Sequence, residues 1–274
     1  MPNSYFTKLM SPRLSAILLL GFASGLPLAL TGATLQAWFT EANVSLKAIG
    51  TLSLLGIPYT LKFLWAPLMD HYGFKALGKR KTWILLMQLC LALTLLIISQ
   101  MHPETEAFAI GLVALLIAFF SASQDISINA YTADVLHPSE RGLGAAYTVF
   151  AYRIALLVSG GLALIFADYM GWRLTYQLMA VLMLLLMIPT YFSPHTQDIA
   201  TSSLTLYHTM KQAVVNLLQR EKIFIILLFI IFYKLGDALA LSLMTNFLLH
   251  GLGFTLTEIG LAYKIVSIVA MITG

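Results

Sequence analysis

The sequence predicts an all-α polytopic membrane protein, and three observations predict it. Hydrophobic residues make up 59% of the 274 residues and charged residues 10%, against about 45–50% and about 25% in soluble domains. The apolar residues form eight long segments that run almost end to end, and a helix needs about 20 residues to cross a ~30 Å hydrocarbon core. Runs such as Trp83 to Ile98 do not alternate in polarity. That excludes membrane strands, which are ~10 residues long with alternating polarity.

The expected helices span 14–38, 45–69, 82–101, 106–133, 142–167, 172–193, 222–248 and 255–274. The first is too long for a signal-peptide core and reads as a retained helix. Ser45 and Thr255 are suited to cap the helices that follow them. In the first helix Gly21, Gly25 and Gly32 fall within about 40° of one another at 100° per residue. Gly142 and Gly144 open the fifth helix, and Gly160 and Gly161 sit deep within it. Small residues on one face let helix backbones approach closely, in sliding or in static contacts.

Basic residues set the expected orientation. Lys8, Arg13, Lys75, Lys79, Arg80, Lys81, Arg141, Lys211, Arg220 and Lys222 all fall at one end of the helices. The other end offers Lys47 and Arg173 beside Glu41, Glu104, Glu106, Asp168 and Glu258. The positive-inside rule puts the basic end and the N-terminus in the cytoplasm. The polar stretch from Ser193 to Glu221 is then a cytoplasmic linker, with a helical pattern through Met210, Val214 and Leu217.

An internal repeat joins the two sides of this linker. Ser45-Leu-Lys-Ala-Ile-Gly50 returns, 210 residues later, as Thr255-Leu-Thr-Glu-Ile-Gly260. Gly25 and Gly236 match to within one residue of the same offset. Parallel repeats of six helices are the build of the major facilitator superfamily. The expected organisation is a six-helix bundle over 1–194, a linker over 195–221, and an incomplete second bundle over 222–274. A full second repeat would have four more helices, so the chain reads as truncated or split. It is not expected to transport alone.

Charges at membrane depth carry the functional signal. Each costs roughly 3 kcal/mol on insertion scales and persists where it meets a partner, a water-filled cavity or a solute. Lys62, Asp125, Arg153, Lys234 and Asp237 are such residues. On the fourth helix Ser121, Asp125 and Thr132 fall within about 40° of one another, with Asn129 and Gln124 on the flanks. This face lines a cavity or forms a packing network. Asp134 points almost the opposite way, toward a cytoplasmic contact. Arg153, with its planar fork, binds an anionic solute or pairs with Asp125. Lys234 and Asp237 are three apart on one helix, so their side chains can meet. Their pairing is a structural ion pair or a switch released when Asp237 is protonated. Asp125 and Asp237 are the two candidate proton-coupling carboxylates, with Lys234 the partner of the second. Lys62, between Tyr59 and Trp65, snorkels along its stem or contacts the solute.

Other classes of function fit less well. The single cysteine, Cys90, permits no intrachain disulfide and no cysteine-ligated metal cluster. The six histidines are scattered over loops, which speaks against the concentrated catalytic set of a membrane enzyme. No metal or cofactor is expected. No basic patch interleaved with aromatics points to nucleic acid. A non-transporting remnant is the third class.

Two cytoplasmic loops have recognisable form. Pro67-Leu-Met-Asp70 followed by Gly78-Lys-Arg-Lys81 resembles the signature loop between helices two and three of the major facilitator superfamily, stretched by several residues. Asp134-Val-Leu-His-Pro-Ser-Glu-Arg-Gly142 resembles that superfamily's loop after helix four. The resemblance implies a conformational latch built from Asp70, Lys79, Arg80, Asp134 and Arg141.

The stretches Ser24-Gly-Leu-Pro-Leu-Ala-Leu-Thr31, Leu35-Gln-Ala-Trp38, Lys62-Phe-Leu-Trp-Ala-Pro-Leu-Met-Asp70, Gln124-Asp125, Tyr152-Arg153, Val158-Ser-Gly-Gly-Leu-Ala163 and Tyr233-Lys-Leu-Gly-Asp237 resemble AmpG-type muropeptide permeases over nearly the whole chain. The resemblance implies an inner-membrane permease. Its expected cargo is N-acetylglucosamine-anhydro-N-acetylmuramic acid with or without peptide, imported with protons for cell-wall recycling. The fourth helix offers hydroxyl and amide partners for such a glycopeptide, through Gln124, Asp125 and Asn129. Arg153 offers a cation for its carboxylates. Another anionic cargo, such as an acyl-CoA, is the alternative. The expected partners are the glycopeptide, protons, membrane lipid and a second polypeptide supplying the missing helices.

Overall fold

The computed structural model describes residues 11–72, 77–195, 215, 223–242 and 244–261. Among these the chain is helical throughout, with no strand. Five helices are long and apolar enough to cross a membrane: Pro12–Glu41, Lys79–Ile98, Pro103–Val135, Pro138–Met170 and Trp172–Phe192. They are the first, third, fourth, fifth and sixth of the expected series. The expected linker lies outside the described residues apart from His195 and Val215, as does most of the eighth helix.

The second helix departs from expectation. The span expected over 45–69 is instead a chain of short pieces, Leu46–Thr51, Leu52–Gly56, Ile57–Leu61, Lys62–Leu64 and Ala66–His71, two of them 3₁₀ turns. Pro58 and Pro67 are the physical reason. Each lacks an N–H and its ring crowds the carbonyl four residues back. The Leu54 carbonyl, which Pro58 cannot serve, accepts from the Ile57 N–H in a tighter turn.

The first helix also breaks, at Gly32, between Pro12–Thr31 and Ala33–Glu41. Near the break the Leu30 carbonyl accepts from the Tyr176 hydroxyl at 3.0 Å. Thr34 Oγ1 donates to the Ser159 carbonyl at 2.6 Å. That carbonyl belongs to a π-helical turn, Leu157–Leu162, which interrupts the fifth helix. A π turn inserts a residue and frees backbone acceptors, so the two irregular stretches satisfy one another.

Gly21 and Gly25 seat the first helix on the fifth. A methyl group at Gly25 would lie 2.6 Å from the Tyr152 carbonyl, and one at Gly21 2.9 Å from that of Thr148. Gly32 does not join this seam, because it sits at the break and faces its own Leu28 carbonyl. The main apolar core lies between the first, third, fourth and sixth helices and contains Leu30, Trp38, Leu91, Leu95, Ile117 and Tyr176.

Two polar belts close the ends. At the basic end, Lys81 is buried. Its ammonium donates to the Tyr191 and Ser193 carbonyls at 2.8 and 2.7 Å. A cation there offsets the negative end of the sixth helix. Tyr131 donates to the Pro194 carbonyl at 2.9 Å. At the acidic end, Trp172 Nε1 donates to Glu41 at 2.6 Å.

The seventh helix spans Ile223–Ser242, and a short helix, Met244–Asn246, leads into a second π turn, Phe247–Gly251. It meets the first helix at the acidic end, where Asn246 Nδ2 donates to Thr40 Oγ1 at 3.4 Å. The eighth helix opens as the repeat predicts. Thr255 and Glu258 form a reciprocal cap, Glu258 accepting from the Thr255 N–H at 2.8 Å and donating its own N–H to Thr255 Oγ1 at 3.2 Å. Ser45 caps the matching helix by accepting from the Ala48 N–H at 3.4 Å. Gly260 crosses Gly161 so closely that a methyl group on it would lie 2.8 Å from the Gly161 carbonyl. Thr257 donates to Asp168 at the same crossing.

Candidate functional site

The fourth helix, Pro103–Val135, is 33 residues long. At 1.5 Å per residue that is about 50 Å, so it outruns the ~30 Å hydrocarbon core. Its basic end carries Asp134 into a charged junction. Arg80 Nε donates to Asp134 at 3.1 Å, and the same guanidinium pairs with Asp70. One planar fork thus serves two carboxylates from two helices, which a lysine could not do with the same geometry. The expected latch residues Asp70, Arg80 and Asp134 come together here. Lys79 and Arg141 take no part in an ion pair among the described residues. Arg13 and Glu140 form a looser pair nearby, at 3.8 Å.

From this junction the second and fourth helices run in parallel toward the acidic end. Lys62 lies eight residues before Asp70, and Asp125 nine before Asp134. Both therefore sit about 12–14 Å deeper, at the same level. There they pair, Lys62 Nζ 3.7 Å from Asp125 Oδ2. The other carboxylate oxygen accepts from the Ser24 hydroxyl of the first helix at 2.5 Å. Three helices thus converge on one carboxylate.

The partner of Asp125 is Lys62 and not Arg153. Arg153 is exposed on the fifth helix, with no ion pair among the described residues. Nor does Lys62 snorkel outward, because its head group turns to the fourth helix. The Asp125 side chain is 13% exposed and that of Lys62 34%, so the pair opens on the lysine side.

The rest of the fourth-helix face divides by burial. Ser121 and Gln124 are buried, and Asn129 is exposed. Ser121 Oγ, Thr132 Oγ1, both amide atoms of Gln124 and the Tyr59 hydroxyl are buried without a hydrogen-bond partner. Such atoms are uncommon and call for a water or a solute. Gln124 is enclosed, so it contacts no solute in this conformation. Ser123 does have a partner, accepting from Trp65 Nε1 at 3.0 Å. The side chains of Lys234 and Asp237 lie outside the described residues, so that expected pair is not described.

An apolar cleft of about 550 Å³ opens near the acidic end, between Leu52, Leu55, Phe108 and Leu115. It lacks the convergent polar groups that would orient a glycan. The candidate site is therefore the Lys62–Asp125 level of the bundle. Ser24 and Tyr59 are the contributors that sequence reasoning did not single out. The near-equal counts back from Asp70 and Asp134, eight and nine residues, were the signal for the Lys62–Asp125 pairing.

Comparisons with known proteins agree with this architecture. The family model of the Major Facilitator Superfamily matches residues 16–274. The chain is 45% identical over 279 residues to an anhydromuropeptide permease of Escherichia coli K12, covering 100% of this chain and 56% of that protein. It is 36% identical over 269 residues to an uncharacterized protein of Haemophilus influenzae, covering 96% of this chain and 63% of the relative. It is 30% identical over 275 residues to a putative transporter, AmpG 4, of Rickettsia conorii, covering 96% and 66%. The chain thus spans a little more than half to two thirds of the length of these relatives.

Proposed function

The chain belongs to the major facilitator superfamily, and we propose that it works as the first bundle, with the start of the second, of a permease for anhydro-muropeptides. The observation that carries this reading is the 45% identity, over the whole chain, to the anhydromuropeptide permease of Escherichia coli. The site supports it. A glycopeptide offers hydroxyls, amides and carboxylates, and the bundle offers unpartnered hydroxyls and a cation beside a carboxylate at membrane depth.

In this reading the domains run 1–194, 195–221 and 222–274. The basic end and the N-terminus face the cytoplasm of a bacterial inner membrane, in keeping with the positive-inside rule. Import is coupled to protons, and the protein is not an enzyme. Asp125 and Asp237 are the candidate coupling carboxylates. Arg153, exposed and in no ion pair among the described residues, takes a second anionic group of the cargo.

The test is uptake of labelled GlcNAc-anhydroMurNAc-tripeptide by cells that lack their own permease. The chain is co-expressed with the remaining length of the Escherichia coli relative. We expect accumulation that a protonophore abolishes and that Asp→Asn at the coupling carboxylate abolishes too. Uptake no greater than with the relative's segment alone contradicts the reading. If Asp125→Asn and Asp237→Asn both still accumulate cargo, neither carboxylate couples.

A further inference from the structure

We infer that Lys62 is the carboxylate-binding residue of the site, and that Asp125 is an internal stand-in for the cargo's carboxylate. The inference rests on the permease reading above and assigns an anion contact beyond that of Arg153.

The geometry of the pair carries it. At 3.7 Å the Lys62–Asp125 contact lies near the outer limit of an ion pair, whereas Asp125 accepts from Ser24 at 2.5 Å. Asp125 is thus anchored to the first helix more closely than to Lys62. It keeps that anchor if Lys62 turns away. An ammonium has three donors, and Asp125 is the one partner of Lys62 among the described residues. Lys62 is also the more exposed member. An incoming anion therefore meets the lysine first.

Each helix places a spare hydroxyl one turn from the pair. Tyr59 precedes Lys62 by three residues and Ser121 precedes Asp125 by four, spacings that share a helix face. Both hydroxyls are buried without a well-formed hydrogen bond, and that of Tyr59 lies beside those of Ser121 and Thr31. A carboxylate has two oxygens and about four acceptor sites. Lys62, Tyr59 and Ser121 together supply the donors such a group needs, and Asp125 itself supplies none while ionised. Exchange of one carboxylate for another leaves the number of charges next to Lys62 unchanged. It releases Asp125 to Ser24 alone.

The experiment measures binding in nanodiscs to the chain purified together with the remaining length of the Escherichia coli relative, with two matched ligand pairs. One pair is GlcNAc-anhydroMurNAc and its analogue with the lactyl carboxylate reduced to an alcohol. The other is the tripeptide-bearing form and its peptide carboxamide. We expect one acid of the two pairs to bind roughly tenfold or more tighter than its neutral partner, as a charged hydrogen bond of ~1.5–3 kcal/mol implies. Which pair shows the difference identifies the carboxylate.

Lys62→Met should bring acid and neutral forms to within about twofold, leaving neutral binding in place, and Lys62→Arg should restore part of the preference. Asp125→Asn should tighten the acid, because the internal competitor is gone. The double variant Lys62→Met with Asp125→Asn carries no unpaired charge and serves where the single variant fails to fold. It should show no acid preference. A preference that survives in either methionine variant, or no preference in the wild-type protein, overturns the inference while leaving the permease reading intact. Failure of all four ligands to bind saturably overturns that reading and this inference with it.

Discussion

Thr40 and His250 are 210 residues apart in the chain and meet in space, with His250 Nε2 3.2 Å from the Thr40 carbonyl oxygen. The same interval separates Ser45 from Thr255, the two caps of the internal repeat. Equivalent positions of two repeats touch where the repeats meet on the axis that relates them. The first and seventh helices therefore face each other across that axis at the acidic end.

Cysteines at positions 40 and 250, in a Cys90→Ala background, should be joined by a short bismaleimide. Cleavage at a protease site placed within 195–221 should then leave a single band. Two bands after cleavage would contradict the contact.

Gly25→Val should destabilise the bundle by about 1–3 kcal/mol, the usual range for overpacking. A methyl group there would lie 2.6 Å from the Tyr152 carbonyl, which is backbone and has little room to give. Gly111→Ala is the control. Nothing lies within 4 Å of its added carbon, and relief of glycine's entropy in a helix favours the change by roughly 0.5–1 kcal/mol. Thermal unfolding in detergent checks both. Equal midpoints for the two variants would contradict the close approach.

Arg80→Ala leaves Asp70 and Asp134 facing each other without their shared cation. We expect a loss of about 1–2 kcal/mol, kept modest by the exposure of Asp70. Arg80→Lys should recover part of it, since one ammonium lacks the fork that serves two carboxylates. Adding Asp70→Asn and Asp134→Asn to Arg80→Ala should recover more, by removing the repulsion. A loss unchanged by those two substitutions would contradict the account.

Single cysteines at Glu104 and Ser203, again without Cys90, test orientation. An impermeant thiol reagent added to intact cells should label position 104 and spare 203. The reverse pattern would invert the membrane placement.

Much of this arrangement was legible in the sequence because it depends on composition and count. Apolar length located the five helices long enough to cross a membrane, the repeat announced the caps at Ser45 and Thr255, and the helical rotation set Asp134, beside Arg80, apart from Asp125, beside Lys62. The broken second helix was not legible as a break, although Pro58 and Pro67 were visible. Hydropathy averages over a window and does not register a lost N–H. The π turn at Leu157–Leu162 had no local marker beyond Gly160 and Gly161, since it is fixed by the Thr34–Ser159 contact between helices. Arg153 was the one pairing weighed for Asp125 and Lys62 was missed, because pairing across helices depends on depth and rotation together. Lys81 read as one of several loop cations, whereas its role depends on where the sixth helix ends.

The central claim, that this bundle belongs to a permease for anhydro-muropeptides, is tested most directly by competition binding. Labelled GlcNAc-anhydroMurNAc-tripeptide is bound, in nanodiscs, to the chain purified together with the remaining length of the Escherichia coli relative, and challenged with the unlabelled glycopeptide or with acetyl-CoA. The account predicts saturable binding displaced by the glycopeptide and indifferent to acetyl-CoA. Displacement by acetyl-CoA at equal or lower concentration, or binding that does not saturate, would contradict it.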